Sequence, residues 1–254
     1  MGRLQAMKIG IIGTGNIGGT LARKLTAAGH DVRVANSRGL EGVKAFASEI
    51  GATAVDTRGA VKNVHLVVIS ISFSAVAELP KDLFDTVPQD IPVIDTGNYY
   101  PGLRDPQIPE IDAGMPHSVW VSKQLGRPVI KAFNNILAYS LAELGRPEGS
   151  PGRLAIAVAG DDLRSKQIVM NIVNETGFDP VDAGPLDESW RQEPGTPVYC
   201  CDYDAATTRK GLAAAVKREA PKKLERFIGL YRQRGGDVTH ADLVAMNRSL
   251  NPLD

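Results

Sequence analysis

The strongest constraint on the fold lies near the amino terminus, in Lys8-Ile9-Gly10-Ile11-Ile12-Gly13-Thr14-Gly15-Asn16-Ile17-Gly18-Gly19. An apolar run (Ile9, Ile11, Ile12) leads straight into glycines at 13, 15 and 18. Ile17, Leu21 and Leu25 then follow at the four-residue spacing of one helix face. Strand, glycine turn and helix in that order are the context of a dinucleotide-binding fingerprint. Gly13 permits the tight turn, Gly15 leaves room for a pyrophosphate against the backbone, and Gly18 lets the helix pack close to the strand. Free N–H groups and the positive dipole end at the helix start would hold the phosphates.

The rest of the first 183 residues alternates strand and helix patterns. Strands are expected at residues 31–35, 53–55, 65–71, 91–95, 128–132, 154–159 and 180–182, with helices at 41–50, 58–63, 75–87, 117–125, 134–144 and 161–175. The continuous apolar run from His65 to Ile71 suits a parallel strand buried on both faces. Such alternation predicts an α/β Rossmann-type fold, a doubly wound, mostly parallel sheet. Residues 96–114 are polar and glycine-rich and read as a long surface loop. From Gly184 the pattern changes to three helices at about 204–220, 222–232 and 239–247. The expected organisation is a nucleotide-binding domain at 1–183 and a helical extension at 184–254 that serves as a lid or homodimer arm.

Lys+Arg equals Asp+Glu at 29 each, so no basic field argues for nucleic acid or an anionic membrane. No apolar run approaches the roughly 20 residues of a membrane span. The two cysteines, Cys200 and Cys201, are adjacent, a spacing that rarely gives a structural disulfide. A reducing, cytoplasmic setting is expected. Four scattered histidines and one cysteine pair show no metal-ligand spacing.

The cofactor type is read after the second strand. An NAD-binding chain usually places Asp or Glu there, about 20 residues past the fingerprint, to hold the ribose 2′-hydroxyl. Here the position holds Asn36, then Ser37 and Arg38. Without a carboxylate to repel a 2′-phosphate, and with a hydroxyl and a guanidinium to bind it, the turn favours NADP. Glu41 lies near enough in sequence to neutralise Arg38.

Ligands of open α/β sheets bind beyond the carboxyl ends of the strands. Besides Gly13–Gly18, that rule points to Ser70, Ile71, Ser72, Phe73 and Ala75 after the fourth strand, Asn98 after the fifth, and Ala132 and Asn134 after the sixth. Acid–base candidates are Asp95, Tyr99, Tyr100, His117 and Lys131, none with a spacing that marks it as catalytic. Hydride transfer between two ring systems proceeds largely by orientation and needs no dedicated base.

Residues 7–187 resemble the family of NADPH-dependent reductases of the deazaflavin coenzyme F420, and also the cytosolic reductase domain of the six-transmembrane metalloreductases. The resemblance rests on residues 8–19, Asn36-Ser37-Arg38-Gly39, Val129-Ile130-Lys131-Ala132-Phe133-Asn134-Asn135-Ile136 and Asp179-Pro180-Val181-Asp182-Ala183-Gly184-Pro185-Leu186. It implies NADP held by Thr14, Gly15, Asn16, Ile17, Ser37 and Arg38, with the nicotinamide near Ser72, Phe73 and Asn134. It further implies hydride exchange with a deazaflavin, a flavin or another small planar acceptor. Two alternatives remain at this point: a β-hydroxyacid or imine dehydrogenase, and an NADP-binding sensor without turnover. The tail of about 70 residues is short for the large helical substrate domain of such dehydrogenases.

Overall fold

A computed structural model describes residues 5–235 and 238–253. The sheet is built outward from strand β1 (Lys8–Ile12), whose four apolar or glycine positions after Lys8 are all buried. Glycine 15 caps helix α1 (Asn16–Ala27), and the chain returns through β2 (Asp31–Ala35), α2 (Gly39–Ile50), β3 (Thr53–Ala54) and α3 (Thr57–Val61) to β4 (Leu66–Ile69). After β4 come β5 (Val93–Asp95), α4 (Pro109–Asp112), α5 (His117–Leu125), β6 (Ile130–Lys131) and α6 (Ala138–Glu143). The first six strands form one parallel sheet in the order β3-β2-β1-β4-β5-β6.

Strands β7 (Ala155–Val158) and β8 (Asp179–Asp182) pair in parallel with each other across α7 (Leu163–Glu175). They join the main sheet through one antiparallel pair, in which Lys131 N–H donates to Ala159 O (2.8 Å) and Ala159 N–H donates to Lys131 O (3.0 Å). The fold is therefore a doubly wound α/β sheet, parallel throughout its main part and reversed in direction at this seam. The tail adds α8 (Ala205–Ala214), α9 (Ala220–Arg234) and α10 (His240–Leu250).

Each face of the sheet is covered. One core layer packs Ile9, Ile11, Leu21, Leu25, Val34 and Ile156 beneath α1, α2 and α7. The other packs Ile12, Val67, Ile69, Phe73, Val93 and Trp120 beneath α3 and α5. Helix α3 crosses β1 at Gly10, where an added Cβ would lie 1.6 Å from the Ala60 carbonyl oxygen. That glycine is thus a packing requirement at closest approach. Among the described residues no helix is long and apolar enough to cross a membrane. Cys200 and Cys201 are both free thiols and both buried.

Three expectations from the sequence are corrected. Residues 75–87 form a short 3-10 helix, Ser74–Glu78, followed by turns rather than one long helix. Pro80 has no N–H to continue the hydrogen-bond ladder, and the buried Leu83, Phe84 and Val87 reach the core from turns. Helix α6 starts at Ala138 rather than Asn134, because Phe133 has φ +62° and the Asn134 and Asn135 side chains bond other segments. The tail also holds a 3-10 helix, Leu186–Gln192, which its weak periodicity concealed.

Candidate active site

The glycine loop has the geometry its spacing implies. Gly13 sits at φ +106°, and a Cβ there would lie 2.0 Å from the Ser70 carbonyl oxygen. A Cβ on Gly18 would meet the Gly13 carbonyl oxygen at 2.1 Å, so the missing side chain lets α1 settle onto the loop. Gly15 differs from both: its Cβ would meet nothing within 4 Å, so it faces open space. No side chain caps the start of α1, which leaves its first N–H groups for an anion. Gly15 and Asn16 are exposed and Thr14 half-buried, while the Ile17 side chain packs on the core.

At the tip of β2, Asn36 turns inward. Its Oδ1 accepts the Arg38 N–H (3.0 Å), and its Nδ2 donates to Thr14 Oγ1 (3.1 Å) and to the Gly42 carbonyl (3.4 Å). It therefore organises the turn and ties it to the glycine loop. Ser37 and Arg38 are exposed. Glu41 does not neutralise Arg38: it pairs with Lys44 at 2.5 Å, and Arg38 makes no ion pair among the described residues. Gly42 makes room for the arginine stem, since a Cβ there would lie 2.3 Å from Arg38 Cβ.

The exits of β4, β5 and β6 converge as expected, but not every side chain faces the crevice. Ser70 Oγ accepts from Thr96 Oγ1 (3.0 Å), Ile71 is half-buried, Ser72 is exposed, and the Ala75 N–H closes a turn on Ser72 O (3.0 Å). Phe73 is a correction. Its ring is fully buried, stacked on Trp120 (centroids 5.1 Å) and tilted against Tyr99 and His117, so it cannot line a nicotinamide pocket. Apolar burial outweighs exposure for a side chain of that size. Ala132 is likewise fully buried.

Asn134 also lies below the surface, at 2% exposure, with its amide satisfied by protein. Nδ2 donates to Asn98 Oδ1 (3.0 Å) and the Gln192 carbonyl (2.7 Å), and Oδ1 accepts from Gln192 Nε2 (2.8 Å). Asn98 Nδ2 in turn donates to the Asn134 carbonyl (2.8 Å) and to the Tyr199 hydroxyl (3.4 Å), which touches the Tyr100 hydroxyl. The site thus includes Gln192 and Tyr199, which neither strand-exit position nor periodicity marks. The left-handed backbone of Phe133, Cys200 and Asp202, at φ +62°, +52° and +49°, surrounds this network. Strain of that kind in non-glycine residues concentrates at functional sites.

Of the other acid–base candidates, Lys131 and Asp95 are interior. Lys131 Nζ donates to Ser118 Oγ (2.9 Å) and Gly97 O (3.2 Å), and stands 3.9 Å from Asp95 Oδ2, which accepts from Ser118 Oγ (2.6 Å). Tyr99 donates to Asp112 (3.0 Å) and accepts from the Ile108 N–H (2.9 Å). His117 N–H donates to Glu193 Oε1 (2.6 Å), and its Nε2 lies 3.3 Å from Glu193 Oε2. Burial and the charge of Lys131 hold the His117 imidazole well below its usual pKa, so it is neutral. Burial raises the Glu193 carboxyl to about 7, against the opposing pull of Lys131 and of the His117 N–H. This pair, with Tyr99 and Trp190, walls a cavity of about 840 Å³ between the 99–117 segment and α9. No residue of the glycine loop lines it.

Residues 8–99 match the family model described as NADP oxidoreductase, coenzyme F420-dependent. The protein YjhV of Escherichia coli (strain K12) is 49% identical over 125 residues, which cover 49% of this chain and 84% of YjhV. The chain belongs to the F420-dependent NADP oxidoreductase family. Its structure resembles the hypothetical protein SMa0349 from Sinorhizobium meliloti, at 27% identity and TM-score 0.63, over 76% of this chain and 93% of that one. A protein from Arthrobacter sp. FB24, proposed to be an F420-dependent NADP reductase, shares the fold at 18% identity and TM-score 0.62, over 91% and 96% of the two chains. The 3-hydroxyisobutyrate dehydrogenase of Mycobacterium tuberculosis shares it more distantly, at 15% identity and TM-score 0.54, over 98% of this chain and 68% of that one. As a member of this family the chain is an NADP-dependent oxidoreductase.

Proposed function

We propose that the crevice binds NADPH and passes its hydride to a deazaflavin, a flavin or another small planar acceptor. The observation that carries the cofactor reading is Arg38: an exposed residue at the tip of β2 that makes no ion pair among the described residues, on the turn that Asn36 ties to the glycine loop. The residues present fit the cofactor. Gly15 leaves the space a pyrophosphate needs, the uncapped start of α1 supplies N–H donors, and Ser37 and Arg38 suit a 2′-phosphate. The bound coenzyme would supply the hydride. The chain's part is to hold it at Gly13, Thr14, Gly15, Asn16, Ile17 and Gly18, largely through backbone groups, and to offer Ser70, Ser72 and Asn98 at the strand exits.

The test is a titration of wild type and Arg38→Ala with NADPH and NADH. One charge-assisted contact at an exposed site is worth about tenfold. NADPH affinity is expected to fall by that much while NADH affinity stays within twofold. An equal loss for both coenzymes overturns the NADP reading. NADPH consumption with deazaflavin or FMN then separates an oxidoreductase from a sensor, which would bind NADPH and consume none. The tail fits a dimer arm: α9 buries only Leu224 among its residues and leaves Phe227 and Tyr231 stacked on its surface. A monomer in sedimentation would remove that part of the proposal.

A further inference from the structure

The cavity walled by His117 and Glu193 shares no residue with the glycine loop and takes no part in holding the proposed coenzyme. It opens where the 99–117 segment and the start of α5 meet α9. Its volume of about 840 Å³ falls among small-molecule sites, which span roughly 300–1,000 Å³. Ile111, Met115, Leu224 and Ile228 give it apolar walls. The charges around this space decide what could occupy it.

Among the exposed lining residues the charges cancel: Lys217 and Arg218 are matched by Asp112 and Glu225. Asp105 is buried but committed. It accepts the Tyr100 N–H (2.9 Å) and the Ser74 N–H (3.3 Å) and lies 3.5 Å from the Arg104 guanidinium. Glu193 remains. Its Oε2 meets the His117 ring at 3.3 Å, but that imidazole is neutral and brings no positive charge. Lys131, the buried cation of this region, spends its Nζ on Ser118, Gly97 and Asp95. No lysine or arginine pairs with Glu193 among the described residues. The Glu193 and His117 side chains keep 12% and 9% exposure, and both line the cavity.

We propose that this cavity binds an organic cation, an amine or amidine with an apolar body, whose charged group pairs with Glu193 while its body lies against α9. A buried carboxylate without a counter-charge is costly, and a bound ammonium group recovers that cost. An anion would meet a like charge that little water screens. A neutral molecule would leave the carboxylate uncompensated. The carboxyl itself reports the missing partner, since burial holds it at about 7 despite the pull of Lys131. The apolar walls then select a cation with a hydrocarbon or aromatic body over a small inorganic ion. The site goes beyond the coenzyme reading and does not rest on it.

The experiment is calorimetric titration at pH 8.5, where Glu193 is ionised, with 4-phenylbutylamine, 4-phenylbutanol and 4-phenylbutyrate. The three probes share one body and differ in charge. Wild type is expected to bind the amine about tenfold or more tighter than either of the others, the worth of one charge-assisted contact. In Glu193→Gln the amine should fall to the affinity of the alcohol, while the alcohol changes by less than about twofold. Glutamine keeps an acceptor for the His117 N–H, and a thermal melt confirms the fold. Ile228→Trp fills the cavity from α9 and should abolish amine binding with the melting temperature within a few degrees of wild type. The proposal is overturned by a wild type that binds no amine at millimolar concentration, or that binds the alcohol or the carboxylate as tightly. Amine affinity that survives either substitution overturns it as well. No step involves NADPH, so a chain that fails the coenzyme titration can still pass this one, and the reverse.

Discussion

Replacing Glu193 with glutamine should make the protein more stable at alkaline pH than the wild type. Glu193 accepts the first N–H of α5 at 2.6 Å and is 9% exposed. A carboxylate at a helix start is ordinarily favoured in its charged form. Here burial is the larger effect, and the folded carboxyl titrates at about 7 against an ordinary 4.5. An acid whose pKa rises on folding contributes stability that is complete below the unfolded value and lost as pH rises through the folded one. The window is therefore pH 4.5 to 7, and the shift corresponds to about 3 kcal/mol. Glutamine stays neutral throughout, so the stability difference between variant and wild type should move by that amount from pH 4.5 to pH 8.5, in the variant's favour. Urea unfolding at the two pH values measures it directly. Thermal melts should show a relative shift of about 6–12 °C. His117 is neutral in both proteins above its lowered pKa and drops out of the difference. A difference that is flat with pH, or that favours the wild type at pH 8.5, would refute burial as the dominant influence on this carboxyl.

Two glycines near β1 should respond oppositely to alanine. Gly10→Ala should unfold the protein or cost more than about 3 kcal/mol, because the new Cβ meets backbone at 1.6 Å, as circular dichroism and melting would register. Gly15→Ala should melt within a few degrees of wild type, since nothing lies within 4 Å of the new Cβ, yet lose NADPH binding; retained affinity would remove Gly15 from the proposed cradle. Lys131→Met should cost about 3–5 kcal/mol in urea unfolding at pH 7, because Asp95, itself 1% exposed, loses its nearby cation; a loss below 1 kcal/mol would show that Ser118 and the Gly97 N–H suffice for the carboxylate.

What the sequence carried well was local. Residues 8–25 specify strand, turn and helix within a few residues of one another, and each glycine's constraint appears at the position its spacing implies. Asn36-Ser37-Arg38 was legible as a turn without an acid, though not that Asn36 folds inward onto Thr14. The misreadings share a cause. Val76, Leu83, Phe84 and Val87 imitate a helical stripe, but the period cannot show that turns deliver them to the core. Phe73 and Asn134 lie at strand exits, yet which way a side chain points there depends on Trp120 and Gln192, at sequence separations of 47 and 58. Gln192 and Tyr199 were invisible because their segment has no repeat, and only tertiary contact brings them to the site.

The floor of the crevice closes late in the making of the chain. Gln192 completes the Asn134 amide, Glu193 caps α5, and Cys200 N–H takes the Asn135 carbonyl. As the polypeptide leaves the ribosome, the glycine loop and Arg38 are exposed to the cell long before residues 192–200 exist. The glycine-loop end can therefore take shape while the Asn134 end still has unpaired amides and an uncapped helix. Stalling or cleavage in the 184–200 segment would yield a chain whose glycine loop is complete while the Asn134 amide and the start of α5 lack their partners.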